Sequence, residues 1–382
     1  MKKIAIITGT RAEYGLLKPL INAINLDSDF ELQLIVTAMH LSPEFGYTIN
    51  EIINDGFPIA KKVECLLSSD SAVGISKSMA LALSGFADAY ADLKPDFVLL
   101  LGDRTEILSA AIAAMVANIP IGHIHGGETT EGAYDECIRH AITKMSYLHF
   151  TSTEEYRKRI IQLGENPLRV FNVGAIGIDS IKNLKLLSKD EFEKSINFKL
   201  AKKNILVTYH PVTLEKESPK KSFENILGCL NSLKDTHIIF TFANSDKNGR
   251  VINEMIKKYV ENNKDKAICF NSLGQLRYLS SLKYVDIVIG NSSSGIIEVP
   301  QFNIPTINIG DRQKGRITGP TIFNCTTDIK KISETISKAF TFDTKKRYKQ
   351  PYGEGNTTCQ IINILKSQKK INLKKSFYDI KF

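Results

Sequence analysis

Side chains able to move protons or hold charge crowd one eighteen-residue stretch of this 382-residue chain, among them His123, His125, Glu128, Asp135, Glu136, Arg139 and His140. Gly126 and Gly127 form a turn inside it. Imidazole and carboxylate groups act as general acids and bases once burial tunes their pKa values, so His125 and Glu128 are candidates for that work. The same residue types bind metals, but no H-E-x-x-H or similar spacing occurs, and no metal is expected. Asp135 and Arg139, four residues apart, could also be an ordinary helix ion pair.

Other polar clusters follow apolar runs. Leu101-Gly102-Asp103-Arg104 places a charge pair directly after a buried strand, although Asp103 could simply cap the next helix. Thr8-Gly9-Thr10-Arg11 combines a tight turn with a guanidinium suited to phosphate. His210-Pro211-Val212-Thr213 ends another apolar run. Gly290-Asn291-Ser292-Ser293-Ser294-Gly295 offers backbone N–H groups and hydroxyls at a strand–helix junction, where a pyrophosphate fits. Glu298, one turn on, could accept ribose hydroxyls, and Gly310-Asp311-Arg312 adds a cation. Neither G-x-G-x-x-G nor G-x-x-x-x-G-K-[ST] is present, so no dinucleotide cofactor is expected.

The elements that must position these groups alternate. Strands are expected at Ile4–Thr8, Leu32–Thr37, Val98–Gly102, Ile119–Ile124, His149–Thr151 and Val170–Gly174. A second series runs through Ile205–Tyr209, Ile238–Phe242, Ala267–Phe270, Asp286–Gly290 and Thr306–Ile309. Continuous apolar runs suit parallel strands buried on both faces. Helical patterns such as Glu106–Ala117, Glu154–Leu163, Ser222–Leu233 and Val251–Glu261 lie between them. This order implies an α/β protein of two Rossmann-like, doubly wound domains facing a cleft. The domains are expected at 1–168 and 169–357, with the tail 358–382 packing back on the first.

Composition narrows the function classes. Hydrophobic residues make up 43% and charged residues 24%, which is ordinary for a globular protein and excludes disorder as the main state. Residues 343–382 hold ten basic residues against three acids, so +7 of the net +9 sits there. A charge gathered in a tail, without aromatic or motif support, argues against nucleic acid as a partner. The six cysteines are scattered, with no C-x-x-C pair, so neither a zinc knuckle nor a disulfide framework is expected. The stretch Ile107–Ile124 is broken by Asn118 and Pro120 and reads as helix then strand rather than membrane span. The start, MKKIAIITGT, lacks signal-peptide character, and a cytoplasmic location is expected.

Taken in order, TGTRAEYG, LGDR, HIHGGE, DECIRH, YHPVT, GNSSSG and INIGDRQKGR closely resemble the hydrolysing UDP-N-acetylglucosamine 2-epimerases of sialic-acid biosynthesis. They also resemble the relatives acting on UDP-N,N'-diacetylbacillosamine in legionaminic-acid biosynthesis. The resemblance covers nearly the whole chain and implies a glycosyltransferase-B type fold, a UDP-sugar substrate, no cofactor and a homodimer or homotetramer. Residue by residue, it implies that Arg11, His210, Asn244, Ser292, Ser293, Glu298 and Arg312 contact the nucleotide sugar, with His210 also at the reacting centre. Asp103 and Asp135 match carboxylates acting on the sugar, and Arg104 a neighbouring contact. One departure is clear. Many family members read H-I-E-G-G-E where this chain has His123-Ile124-His125-Gly126-Gly127-Glu128, and the spacing to Asp135 is one residue longer. Either His125 takes the acid–base role of the absent Glu, or Glu128 does.

The implied reaction turns UDP-N-acetylglucosamine into N-acetylmannosamine and UDP. The alternative is the same reaction on UDP- or GDP-linked N,N'-diacetylbacillosamine, giving 2,4-diacetamido-2,4,6-trideoxymannose. A glycosyltransferase, a non-hydrolysing epimerase and a non-catalytic nucleotide-sugar sensor are the rival readings.

Overall fold

In the computed structural model the described residues are 1–69, 71–130, 134–212, 218–243, 249–368 and 371–381. They divide into two compact units. The first comprises Met1–Glu128, Tyr134–Lys182 and Tyr352–Phe382; the second comprises Thr129–Ala133 and Asn183–Pro351.

The first unit carries strands β1 (Lys2–Thr8), β2 (Phe30–Thr37), β3 (Ile59–Val63), β4 (Phe97–Leu101), β5 (Ile121–Ile124), β6 (Leu148–Thr151) and β7 (Val170–Asn172). Their order is β3-β2-β1-β4-β5-β6-β7, and every pairing is parallel. The second unit carries β8 (Lys203–Thr208), β9 (Thr236–Thr241), β10 (Ala267–Phe270), β11 (Ile287–Gly290), β12 (Thr306–Ile309) and β13 (Ile322–Cys325). Their order is β10-β9-β8-β11-β12-β13, again all parallel. Both units are doubly wound α/β. The central strands are buried on both faces, as in the run Phe97–Leu101, where every residue is buried.

In each sheet the strand order reverses once, between β1 and β4 and between β8 and β11. Ligands of open α/β sheets bind outside the carboxyl ends of the strands at such a reversal. Two of the polar segments singled out above, after β1 and β4, flank the first reversal. Those after β8 and β11 flank the second. The register therefore places the chemistry-bearing loops of each unit at its own switch point.

Three features depart from the sequence expectation. β3 and β13 are edge strands with mixed burial, and Ile59–Val63 carries Lys61 and Lys62, so neither shows a continuous apolar run. The punctuation at Asn166–Pro167 does not end the first unit: Pro167 opens a 3-10 turn, and β7 then adds beside β6. A helix outside the expected patterns, Lys189–Ile196, forms in the charged stretch 184–203, where Ser188 and Glu191 make its capping box. Among the described residues no helix is long and apolar enough to cross a membrane.

The basic tail is bound to the first unit by its charges. Asp179 accepts the N–H groups of Thr357 (3.0 Å) and Thr358 (2.6 Å), capping the helix Thr357–Ser367. Ile361 and Leu365 of that helix join the core around Ile4 and Leu20. Lys366 bridges Asp27 (2.7 Å) and Asp29 (2.9 Å). Farther on, Lys375 and Lys144 both reach the buried Glu165 at 2.6 Å, beside His149 at 3.1 Å. The Phe377 ring packs on Gly164, and the Tyr378 N–H donates to the Gly164 carbonyl (2.9 Å). Burial alone would raise the Glu165 pKa, but the hydrogen bonds from His149, Lys144 and Lys375 overcome it and bring the carboxyl down to about 2.

A depressed carboxyl pKa contributes stability that is present above the ordinary value of 4.5 and is lost as pH falls through the folded value. Glu165→Gln should therefore destabilise the protein by about 3 kcal/mol at pH 7, because it removes the buried carboxylate that the partly exposed Lys144 and Lys375 reach. It should also raise hydrogen exchange at the Tyr378 amide. Denaturation at pH 7 and pH 3 checks this: the gap between variant and wild type should shrink at pH 3. An equal gap at both would contradict the assignment.

Candidate active site

In the first unit the site is built from the ends of β1, β4 and β5 and from the helix Asp135–Met145. Thr10 caps the helix Arg11–Leu26 by accepting the Glu13 N–H (3.2 Å). Arg11, at the first turn, is half-exposed and pairs with Glu51 at 2.8 Å. Gly102 turns β4 so that Asp103 and Arg104 follow it at the surface of the loop. Arg104 Nε donates to Glu106 (2.7 Å), and its charge is favoured by Glu106 first and also by Asp135.

The centre of this constellation is Arg139, only 2% exposed. Its guanidinium donates to the Asp103 carboxylate, to Glu136 (2.7 Å) and to the backbone carbonyl of Glu128 (2.9 Å). One buried cation thus gathers the β4 loop, the β5 loop and the first turn of its own helix. Asp135 and Glu136 occupy that first turn, where the helix dipole favours carboxylates. Glu136 also meets His140 at 3.1 Å. The i,i+4 spacing to Asp135, which suggests an ordinary helix pair, gives no sign of this role. Long-range partners such as Asp103, thirty-six residues away, leave no trace in local spacing.

The two histidines after Gly122 differ. His123 is fully buried, and burial first pushes its pKa down to about 3. Its Nε2–H donates to the Gly102 carbonyl (2.8 Å) and its Nδ1 meets Thr143 (3.1 Å). His125 has a left-handed backbone, φ 65°. Its Nε2 accepts the Ile176 N–H (3.1 Å), and Nδ1 lies 3.4 Å from Glu128. Glu128 in turn accepts the Ser152 hydroxyl (2.7 Å) and is buried.

Sequence reading also passed over two buried carboxyls beneath these loops. Glu13 accepts the Gly9 N–H (2.8 Å) through Oε2, while its Oε1 is buried without a hydrogen bond. Glu106 packs against Gly9 so closely that a Cβ there would collide with it. Burial, with the Glu106 charge adding to it, pushes Glu13 up to about 8, so it is protonated at neutral pH. His40 closes this layer: its N–H reaches the Gly9 carbonyl (3.3 Å) and its ring joins Thr8 and Thr48.

In the second unit Asn291 is the joint. Its side chain accepts the His210 N–H (2.7 Å) and donates to the His210 carbonyl (2.8 Å), locking the end of β8 to the end of β11. Its own carbonyl receives Arg312 (3.0 Å) and Gln313 (2.9 Å) from the loop after β12. Gly290 has φ 146° and lies against the Thr208 backbone, so no side chain fits there. His210 is 5% exposed, and burial, then the Arg312 charge, brings its pKa down to about 3. Ser292 precedes the short helix Ser293–Ile297 without a side-chain capping bond. The half-buried Glu298 accepts the Ser294 hydroxyl, which Tyr278 also meets (2.6 Å), and desolvation raises the Glu298 pKa.

The structure thus places Arg11, Asp103, Arg104, His125, Glu128 and Asp135 around the switch point of the first unit. His210, Ser292, Ser293, Glu298 and Arg312 lie around that of the second. Asn244 lies outside the described residues. Among those residues no group of three or more His, Cys, Asp or Glu side chains could hold a metal ion. The first constellation can move protons; the second presents hydroxyls, a neutral imidazole and a guanidinium suited to an anion.

Glu13 supplies a test of this geometry. The folded chain keeps its proton up to about pH 8, whereas the unfolded chain releases it near 4.5. The stability due to Glu13 is therefore full below pH 4.5 and declines as pH rises through 8. Glu13→Gln mimics the protonated acid, so denaturant midpoints of variant and wild type should diverge from pH 5 to 9, with the variant higher. Parallel curves would show that Glu13 is ionised in the folded protein.

Residues 22–366 match the family described as UDP-N-acetylglucosamine 2-epimerase. The chain is 48% identical over 337 residues to the GDP/UDP-N,N'-diacetylbacillosamine 2-epimerase (hydrolyzing) of Campylobacter jejuni, covering 88% of this chain and 87% of that one. It is 40% identical to polysialic acid biosynthesis protein P7 of Escherichia coli, over 100% of this chain and 98% of the relative. It is 36% identical to the UDP-N,N'-diacetylbacillosamine 2-epimerase (hydrolyzing) of Legionella pneumophila, over 96% of each. The crystal structure of the UDP-GlcNAc 2-epimerase of Neisseria meningitidis, bound to UDP-GlcNAc, superposes with a TM-score of 0.80. It is 20% identical, covers 96% of this chain and 99% of its own, and shares the glycosyltransferase-B type fold. With a family match across most of its length and full-length relatives well above 30% identity, this chain belongs to the UDP-N-acetylglucosamine 2-epimerase family.

Proposed function

We propose that the protein is a hydrolysing 2-epimerase acting on UDP- or GDP-linked N,N'-diacetylbacillosamine. It releases the nucleoside diphosphate and 2,4-diacetamido-2,4,6-trideoxymannose. The observation that carries this reading is the 48% identity to the Campylobacter jejuni enzyme, supported by the Legionella pneumophila relative. These relatives favour the diacetylated sugar over the UDP-N-acetylglucosamine first expected from the motifs. The match of residues 22–366 to the family described as UDP-N-acetylglucosamine 2-epimerase supports UDP-N-acetylglucosamine as the second reading.

The chemistry accounts for the residue types. The C2 proton of a 2-acetamido sugar is not acidic while the nucleotide is attached. As the C1–O bond breaks, its electron pair leaves with the diphosphate and C1 gains cationic character, which makes the C2 proton removable. The C2–H pair then forms the C1=C2 bond of a glycal. Water adds at C1, and a proton returns to C2 from the opposite face. We assign the proton transfers to Asp103 and Asp135, the first held in place by Arg139. Arg11, Arg104 and Arg312 offer cations to the departing charge. Ser292, Ser293 and the neutral His210 offer hydrogen bonds to the nucleotide, and Glu298 and Asn244 complete its contacts.

Turnover of UDP-N,N'-diacetylbacillosamine in deuterated water tests the mechanism. The free sugar should carry one deuterium at C2. Asp103→Asn and Asp135→Asn should each lower kcat by about 100-fold or more, with UDP binding retained by calorimetry. A turned-over product keeping its C2 hydrogen, or wild-type rates in both variants, would overturn the assignment.

A further inference from the structure

The imidazole at position 125 stands where relatives of the resembled pattern carry a carboxylate, and its surroundings decide what it does. A proton carrier must present a ring nitrogen to the substrate. Neutral imidazole has one lone pair and one N–H. The lone pair, on Nε2, receives the backbone N–H of Ile176 (3.1 Å), a residue buried in the first core. The Nδ1 edge faces Glu128 Oε1 (3.4 Å), which also takes the Ser152 hydroxyl (2.7 Å).

The ring has little freedom to turn away. The left-handed backbone at His125 fixes its direction, and the His125 N–H is tied to the Phe150 carbonyl (2.9 Å). Gly127, next but one, lies so close to the Tyr156 carbonyl that a Cβ there would collide with it. Turning Nε2 toward a ligand would strip a buried amide of its acceptor. The His125 side chain is 11% exposed, against 23% for the Asp103 side chain. A carboxylate at this position has spare lone pairs after accepting Ile176 N–H; an imidazole has none.

We infer that His125 is a positioning residue: through Ile176, Glu128 and Ser152 it clamps together the ends of β5 and β6 and the turn after β7, and proton transfer passes to the carboxylates. This deepens the epimerase reading and rests on it for the role of the carboxylates. Among the described residues, the titratable groups that meet the ring include Glu128 on its own loop and His123 on β5, and Arg139 lies one bond further off, on the Glu128 carbonyl. Asn suits the left-handed backbone, so His125→Asn perturbs the ring more than the fold.

The full chain labelled with 15N-histidine provides the test, with the His125 signals identified by their loss in His125→Asn. Long-range proton–nitrogen spectra should show Nδ1 protonated and Nε2 bare, without a titration midpoint between pH 6 and 8. In turnover, His125→Asn should lower kcat about tenfold, keep the shape of the kcat–pH profile and still deliver deuterium to C2. The inference is overturned by an Nε2–H ring or by a midpoint between pH 6 and 8. It is equally overturned if the variant folds and binds UDP but loses C2 exchange or one limb of its pH profile. If wild type releases no sugar from any nucleotide sugar, the epimerase reading fails while the spectra still decide the clamp.

Discussion

A guanidinium buried to 2% exposure organises the first unit. Arg139 is costly to place in the core and can be held there only by fully used donors. It meets that condition by binding Asp103, Glu136 and the Glu128 carbonyl, three partners from three segments. The same bonds that satisfy Arg139 also fix where the carboxylates stand. A loop after β4 that would otherwise be free to move is locked to the helix Asp135–Met145. Beneath it a second layer, Glu13 protonated and Glu106 ionised against Arg104, carries one proton between two buried carboxyls.

The second unit joins its loops through a side-chain amide. Asn291 bonds both backbone groups of His210 and passes its own carbonyl to Arg312 and Gln313. Gly290 lets the two strand ends approach closely enough for that exchange. The loops there are thus held by an amide, and the hydroxyls of Ser292 and Ser293 stay at the turn, where the proposed diphosphate contacts are. Two basic residues of the tail are likewise drawn onto the first unit: Lys366 pairs with Asp27 and Asp29, and Lys375 with Glu165.

How much of this was legible beforehand depends on whether a feature is local. Interior parallel strands announce themselves as apolar runs, and the loops that follow them were read as the chemical ones. Edge strands β3 and β13, half-exposed, carry no such run. The continuation of the first unit through β7 is a matter of sheet pairing, which punctuation at Asn166–Pro167 obscures. Asp103 and Asp135 stood out by type and position, whereas Arg139 looked like a helix neighbour because its decisive partner is distant in sequence. His125 could not be assigned at all from its letter. Its left-handed backbone and its bond to Ile176 exist only once β5, β6 and β7 are side by side.

The substrate is the central claim, and direct competition tests it most sharply. Equal amounts of UDP-N,N'-diacetylbacillosamine and UDP-N-acetylglucosamine in one sample, followed by proton NMR, report which free sugar forms first. The account predicts that 2,4-diacetamido-2,4,6-trideoxymannose accumulates while UDP-N-acetylglucosamine stays largely intact. N-acetylmannosamine appearing first, or an epimerised sugar still joined to its nucleotide, would contradict it.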